Sequence, residues 1–198
     1  MKKFILIGTL ICALTSFSQT YWQQTTNYKI NVSLNDIKHE LTAFEEIEYI
    51  NHSPDTLKSL YFHLWPNAYR NRNSALAKQL YKNGQTELFY GPESDRGWID
   101  SLNFKSDGIM LKWDYDPEHM DICILQLPKP LRPGERITIE TPFKVKIPSG
   151  EISRLGHVGQ SYQITQWYPK PAVYDKNGWN QIPYLNQGEF YSEYLILS

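Results

Sequence analysis

The sequence predicts an all-β fold, an antiparallel β-sandwich or saddle-like pair of twisted sheets with one short helix. Period-two alternation of apolar and polar residues dominates beyond the N-terminal segment. Clusters of Pro, Gly, Asn, Ser and Asp separate the alternating runs at near-regular spacing, as in sandwiches. No heptad, fixed-period repeat or low-complexity tract competes with that pattern.

The chain opens as a targeting signal, assigned to residues 1–18. Met1-Lys2-Lys3 is a positive n-region, residues 4–17 (FILIGTLICALTSF) are an apolar h-region, and Ser16 and Ser18 provide the small residues of a cleavage site. The apolar run is short for a membrane span. The expectation is therefore export to a periplasmic or extracellular location, with no span left after cleavage. Residues 19–198 suit one domain. A formal net charge of −1 does not point to nucleic acid or an anionic membrane. Without Cys12, Cys123 has no partner for an intrachain disulfide, and the expected role is a buried strand residue.

Tyr28, Ile30, Val32 and Leu34 alternate with polar residues as a half-buried strand. Leu41, Ala43, Ile47 and Tyr49 share the inner face of the next, with Glu46 and Glu48 on the other. Asn51-His52-Ser53-Pro54-Asp55 is turn chemistry. Residues 60–65 (LYFHLW) read as a strand covered on both sides and ended by Pro66. Residues 74–81 (SALAKQLY) form the one helix, with Asn73 or Ser74 as N-cap and Gly84 beyond its end. A polar excursion covers 83–96. Strands resume at 98–104, 109–115 and 122–127. Residues 128–134 (PKPLRPG) form a rigid connection whose Pro133-Gly134 suits a tight turn. Ile137, Ile139, Thr141, Phe143, Val145 and Ile147 then alternate in a strand where Pro142 predicts an edge position or a bulge.

Site chemistry is sparse. His39-Glu40 begins a metallopeptidase-like pair, but no second His follows four residues on. His63 reads as a half-buried strand histidine bonded to a neighbour. Glu45, Glu46 and Glu48 are weighed as a carboxylate pair and read instead as strand-surface charge. The aromatics Trp167, Tyr168, Tyr174, Trp179, Tyr184, Phe190, Tyr191 and Tyr194 crowd one region that Pro169 and Pro171 stiffen. They read as part core, part pocket lining.

Thr165-Gln166-Trp167-Tyr168-Pro169, Pro171-Ala172-Val173-Tyr174-Asp175, Gly178-Trp179 and Gly188-Glu189-Phe190-Tyr191-Ser192-Glu193 together resemble the N-terminal domain of the aminopeptidase N family of zinc metallopeptidases, especially its exported bacterial branch. Residues 53–57, 60–69 and 131–134 extend the likeness over most of the chain. The resemblance implies a saddle-shaped β-domain packed on a thermolysin-like catalytic domain, and a chain truncated before that domain. It implies no catalytic residue, no metal ligand and no cofactor here, with zinc expected in the missing catalytic domain of the parent. It also implies that this region meets the amino end of a peptide substrate. Gln166 is then the substrate-binding candidate, with Trp167 and Tyr168 beside it. Tyr168 stands where the family commonly has Glu or Gln, and a neutral phenol has no charge to pair with an ammonium. The competing reading is a stand-alone exported carbohydrate- or peptide-binding module using the aromatics between Trp167 and Trp179.

Overall fold

The computed structural model describes residues 22–188, 190, 191 and the backbone of 195–197; the signal segment lies outside the described residues. In chain order the strands are β1 (Thr25–Asn35), β2 (Glu40–Ile50) and β3 (Leu57–His63). A 3-10 turn (Trp65–Tyr69), helices α1 (Ala75–Lys82) and α2 (Glu87–Tyr90) and a second 3-10 turn (Glu93–Asp95) follow. Next come β4 (Trp98–Asp100), β5 (Lys105–Ser106), β6 (Ile109–Met110), β7 (Trp113–Tyr115), β8 (Ile122–Leu131) and β9 (Arg136–Lys146). The remainder is β10 (Leu155–Val158), β11 (Ser161–Ile164), β12 (Lys170–Pro171), β13 (Val173–Asp175), β14 (Gly178–Asn180) and β15 (Leu195–Leu197).

The larger sheet runs β15-β1-β2-β9-β5-β6, with β4 also on β9; the smaller runs β12-β3-β8-β7. Two hairpins, β10-β11 and β13-β14, stand outside them. The pairings are antiparallel apart from β15 on β1. Both sheets feed one core. Tyr49, Ile47, Ile139 and Phe143 from the larger sheet join Leu60, Phe62, Cys123 and Leu125 from the smaller. The all-β expectation holds, because alternating side chains give each long strand one apolar face to bury against the other sheet.

The register carries this further. Leu41, Ala43, Glu45, Ile47 and Tyr49 on β2 sit opposite Val145, Phe143, Thr141, Ile139 and Ile137 on β9. All of these except the half-buried Ile137 are buried. The turn at 51–55 is tied by Asn51. Its Nδ2 donates to Asp55 O (2.7 Å) and Leu131 O (3.0 Å), and its Oδ1 accepts from Ser53 N (3.0 Å) and Ser53 Oγ (2.6 Å). Gly134 has φ +79°, and Glu135 N donates to Arg132 O at 3.0 Å, so Pro133-Gly134 closes the tight turn its sequence suggests.

Several elements depart from expectation. Pro142 is not on an edge strand, because β9 lies between β2 and β4/β5. It is tolerated because it falls in a gap on the second side, where β4 registers on residues 144–146 and β5 on Glu140. On β1 the alternation buries Tyr28 but leaves Val32 and Leu34 49% and 44% exposed, since the hairpin tip projects past the core. β3 ends at His63, and Pro66 sits inside the first turn of the 3-10 segment. Residues 128–131 extend β8 where a rigid connector was expected, with a register irregularity against β3. The polar excursion contains α2, anchored by buried Leu88. The runs expected at 98–104 and 109–115 break into β4 to β7.

Ser74 is the N-cap of α1. Its Oγ accepts from Ala77 N (3.1 Å) and donates to Ala68 O (2.6 Å), both in a buried setting. Replacing it removes a cap and leaves the Ala68 carbonyl unpaired. Ser74→Ala should cost about 1–2 kcal/mol, read as a lower urea midpoint at unchanged slope.

A candidate site on the segment between β11 and β12

Residues 165–169 cross from β11 to β12 over the larger sheet. Thr165 anchors the start by donating to Arg154 O at 2.5 Å. Tyr168 and Lys170 each precede a proline, which biases both toward extended backbone. Trp167 lies on Phe143 (centroids 5.8 Å), and Tyr168 meets Tyr28 edge-on at 5.4 Å. Both rings are half-buried and form part of the packing between segment and sheet. Gln166 is different. It is half-buried and adopts φ +53°, the left-handed region, which costs a side chain with a Cβ roughly 1–2 kcal/mol. Its Oε1 accepts a hydrogen bond from Lys170 Nζ.

Lys170 is buried on β12, opposite His63 on β3, and its ammonium lies 4.2 Å from the centroid of Trp65. Burial lowers its pKa to about 8. His63 stacks on Trp65 (4.3 Å, 18°). Burial first, and then the Lys170 charge, push its pKa down to about 3, so the imidazole is neutral at physiological pH. Among the described residues the expected bond from His63 to a neighbour is not formed in good geometry, and a weak approach of the Asn180 backbone favours its charged form. His63 is also buried, not half-buried, because β3 is covered on both faces.

Glu45 changes most from its sequence reading. It lies on the inner face of β2, between Ile30 and Thr141 in register, and is fully buried. Among the described residues neither carboxyl oxygen has a hydrogen-bond partner. Burial raises its pKa well above the ordinary value; burial first, and then the neighbouring Glu45 carboxyl, raise the pKa of Tyr168. Tyr168 therefore stays a neutral phenol. Strand parity could have found Glu45, since it shares its face with Leu41, Ala43, Ile47 and Tyr49. Lys170 could have been found as a lone cation between Pro169 and Pro171 in an aromatic run.

The other aromatics are largely packed against one another. Tyr184 is buried and bonded through its hydroxyl to Tyr69 (3.1 Å), while its N–H donates to Asp121 Oδ2 (2.6 Å). Burial raises the Asp121 pKa to about 6. Trp179 rests on Tyr61 (5.6 Å) and Tyr174 (5.0 Å), and Phe190 on Trp65 (4.8 Å). Tyr191 is exposed, and Tyr194 lies outside the described residues. A small pocket of about 50 Å³ is lined by His63, Trp65, Ile182, Pro183, Leu185 and Phe190, among others. Cys123 is buried and free. His39, away from this site, stacks on His157 at 3.6 Å with Tyr162 OH 2.8 Å from its Nδ1.

Among the described residues no three His, Cys, Asp or Glu side chains come together as a metal-holding group. The sequence matches no family model and no curated protein. Among solved structures, the M1 zinc metallopeptidase from Deinococcus radiodurans is similar over 63% of this chain and 21% of its own, at 12% identity and TM-score 0.39. A two-domain M1 zinc metallopeptidase mutant bound to L-arginine is similar over 69% and 25%, at 13% identity and TM-score 0.42. A mutant of the Deinococcus radiodurans enzyme bound to a Tyr-Ser-Ala substrate is similar over 68% and 24%, at 11% identity and TM-score 0.38. The chain thus spans about a fifth to a quarter of the length of these structures.

The buried acid sets a pH dependence. Burial raises the folded-state pKa of Glu45, so its contribution to stability is complete below the ordinary value of 4.5 and is lost as pH rises through the folded value. The slope reaches at most ~1.4 kcal/mol per pH unit. Glu45→Gln should remove that decline, so its advantage over the parent grows between pH 5 and pH 8 in urea unfolding. A constant difference across that range would contradict the assignment.

Proposed function

We propose that this chain serves as the non-catalytic β-domain, residues 19–198, of an exported zinc aminopeptidase-like protein, with a signal peptide at 1–18. Its 165–171 segment would form part of the wall around the amino end of a peptide substrate. Gln166 acts as hydrogen-bonding positioner, with Trp167 and Tyr168 as wall and support. The zinc ion, its ligands and the general base belong to a thermolysin-like catalytic domain outside these residues.

The observation that carries this reading is the left-handed backbone of Gln166, φ +53°, in a segment braced by two prolines and two packed rings. Local strain concentrated on one polar residue is a mark of functional segments. The order of motifs from Thr165 to Tyr191 supports the same family reading. Tyr168 fits the wall, since burial and Glu45 hold it neutral. Export rests on the N-terminal pattern. Among the described residues no helix is long and apolar enough to cross a membrane. The stand-alone module is less favoured, because Trp167, Tyr174, Trp179 and Phe190 spend ring surface on one another and on the core.

Isolated chain supplied with zinc should not hydrolyse aminoacyl anilides above background. Zinc-dependent turnover that disappears in Gln166→Ala would overturn the non-catalytic assignment. In a polypeptide joining this domain to its catalytic partner, Gln166→Ala should raise KM about tenfold, near ~1.4 kcal/mol, at unchanged zinc content. An unchanged KM would remove Gln166 from the substrate wall.

A further inference from the structure

We propose that the pocket beside His63 and Trp65 is a binding site for a hydroxymethyl group, whose O–H donates to a ring nitrogen of His63 while its carbon packs on apolar walls. The reading starts from a buried polar side chain left without a partner. His63 is 2% exposed, and among the described residues neither Nδ1 nor Nε2 has a hydrogen-bond partner. Native proteins rarely leave such a group unserved, because it forfeits its hydration with nothing in return. Its ring lines a pocket of about 50 Å³, so the missing partner has space to enter.

The ring sets the polarity of that partner. With a pKa of about 3 the imidazole is neutral, carrying one N–H and one lone pair. The Asn180 backbone approaches it in a way that favours the cation, which is how an acceptor acts. That approach orients the ring proton toward Asn180 and leaves the other nitrogen as an acceptor. An acceptor needs a donor, which a carboxylate does not supply. Ionic donors fit poorly, since the Trp65, Ile182, Pro183 and Phe190 walls are apolar and would strip their hydration. A neutral O–H is the small donor that remains.

Volume and access set its size. A dry cavity of roughly 150 Å³ takes benzene, so a third of that space takes about two or three heavy atoms. Water alone is a poor occupant, because an ordered water needs roughly two to four polar partners. Trp65 has already spent its indole N–H on Ile182 O at 3.1 Å. His63 and Trp65 are buried, whereas Ile182, Gln187 and Tyr191 on the same pocket are exposed. The hydroxyl therefore enters first, and whatever carries it stays at the exposed side. The ligand class is a primary alcohol, free or as a seryl side chain. Gln166, Trp167 and Tyr168 do not line this pocket, so failure of the zinc-peptidase reading leaves the site intact.

The test is NMR titration of the full chain with ethanol, against its isomer dimethyl ether, which lacks the O–H donor. Reporters are the His63 ring nitrogens and the Trp65 indole N–H. Ethanol should give saturable shifts at both, with the unprotonated His63 nitrogen moving upfield, and the ether should bind about tenfold more weakly. N-acetylserinamide against N-acetylalaninamide separates a seryl side chain from a free alcohol, and a selective response to either hydroxyl probe supports the proposal. His63→Phe keeps a ring against Trp65 and removes the acceptor. It should hold or raise Tm, because no hydrogen bond is lost, and should bind each hydroxyl probe no better than its control. His63→Leu gives the same readout if the larger ring disturbs folding. Absence of saturable shifts with both hydroxyl probes would overturn the proposal. So would a parent chain that binds both of them no better than their controls, or a preference for either that survives in folded His63→Phe.

Discussion

The eleven-residue ladder between β2 and β9 constrains almost everything else in the molecule. Because pleated strands alternate strictly, fixing one pair in this ladder fixes the inward or outward direction of every side chain along both. Ile47 opposite Ile139 and Ala43 opposite Phe143 give the inner face enough apolar area to hold the register. The same parity that buries them carries Glu45 inside. Moving it outward by a one-residue slip would expose the whole apolar row. The protein therefore retains a carboxyl group in its core, and burial there raises its pKa.

On this floor lies the segment 165–171. Trp167 and Tyr168 tie it to the sheet through Phe143 and Tyr28, and β12 ties its end to β3. The prolines restrict the backbone between these anchors, so the remaining strain falls on Gln166. Two buried ionisable groups flank the segment: Glu45 on the inner face of β2, and Lys170 against Trp65 and His63. Desolvation acts on them in opposite directions, raising the acid and lowering the base. Burial favours the neutral form of both, yet Lys170, at about 8, stays mostly charged at pH 7.

Local patterns in the chain determined the all-β class, the buried face of β9, a helix cap at Asn73 or Ser74, the Pro133-Gly134 turn and the buried Cys123. Each depends on neighbours within a few residues, through strand parity, side-chain capping or fixed dihedrals, and such effects are readable from spacing. The 165–171 segment was legible as stiffened and ring-rich, from its prolines and aromatics. Tertiary structure decided the rest. Pro142 sits in a central strand because two short strands leave a gap that no local rule announces. Val32 and Leu34 are half-exposed because the hairpin outruns the core. His63 is buried and neutral, and the oxygen of Gln166 is occupied by Lys170, because β3 and β12 happen to pair. Burial, charge balance and the free valences of a side chain are properties of what surrounds it in space, and those neighbours come from strands far apart in the chain.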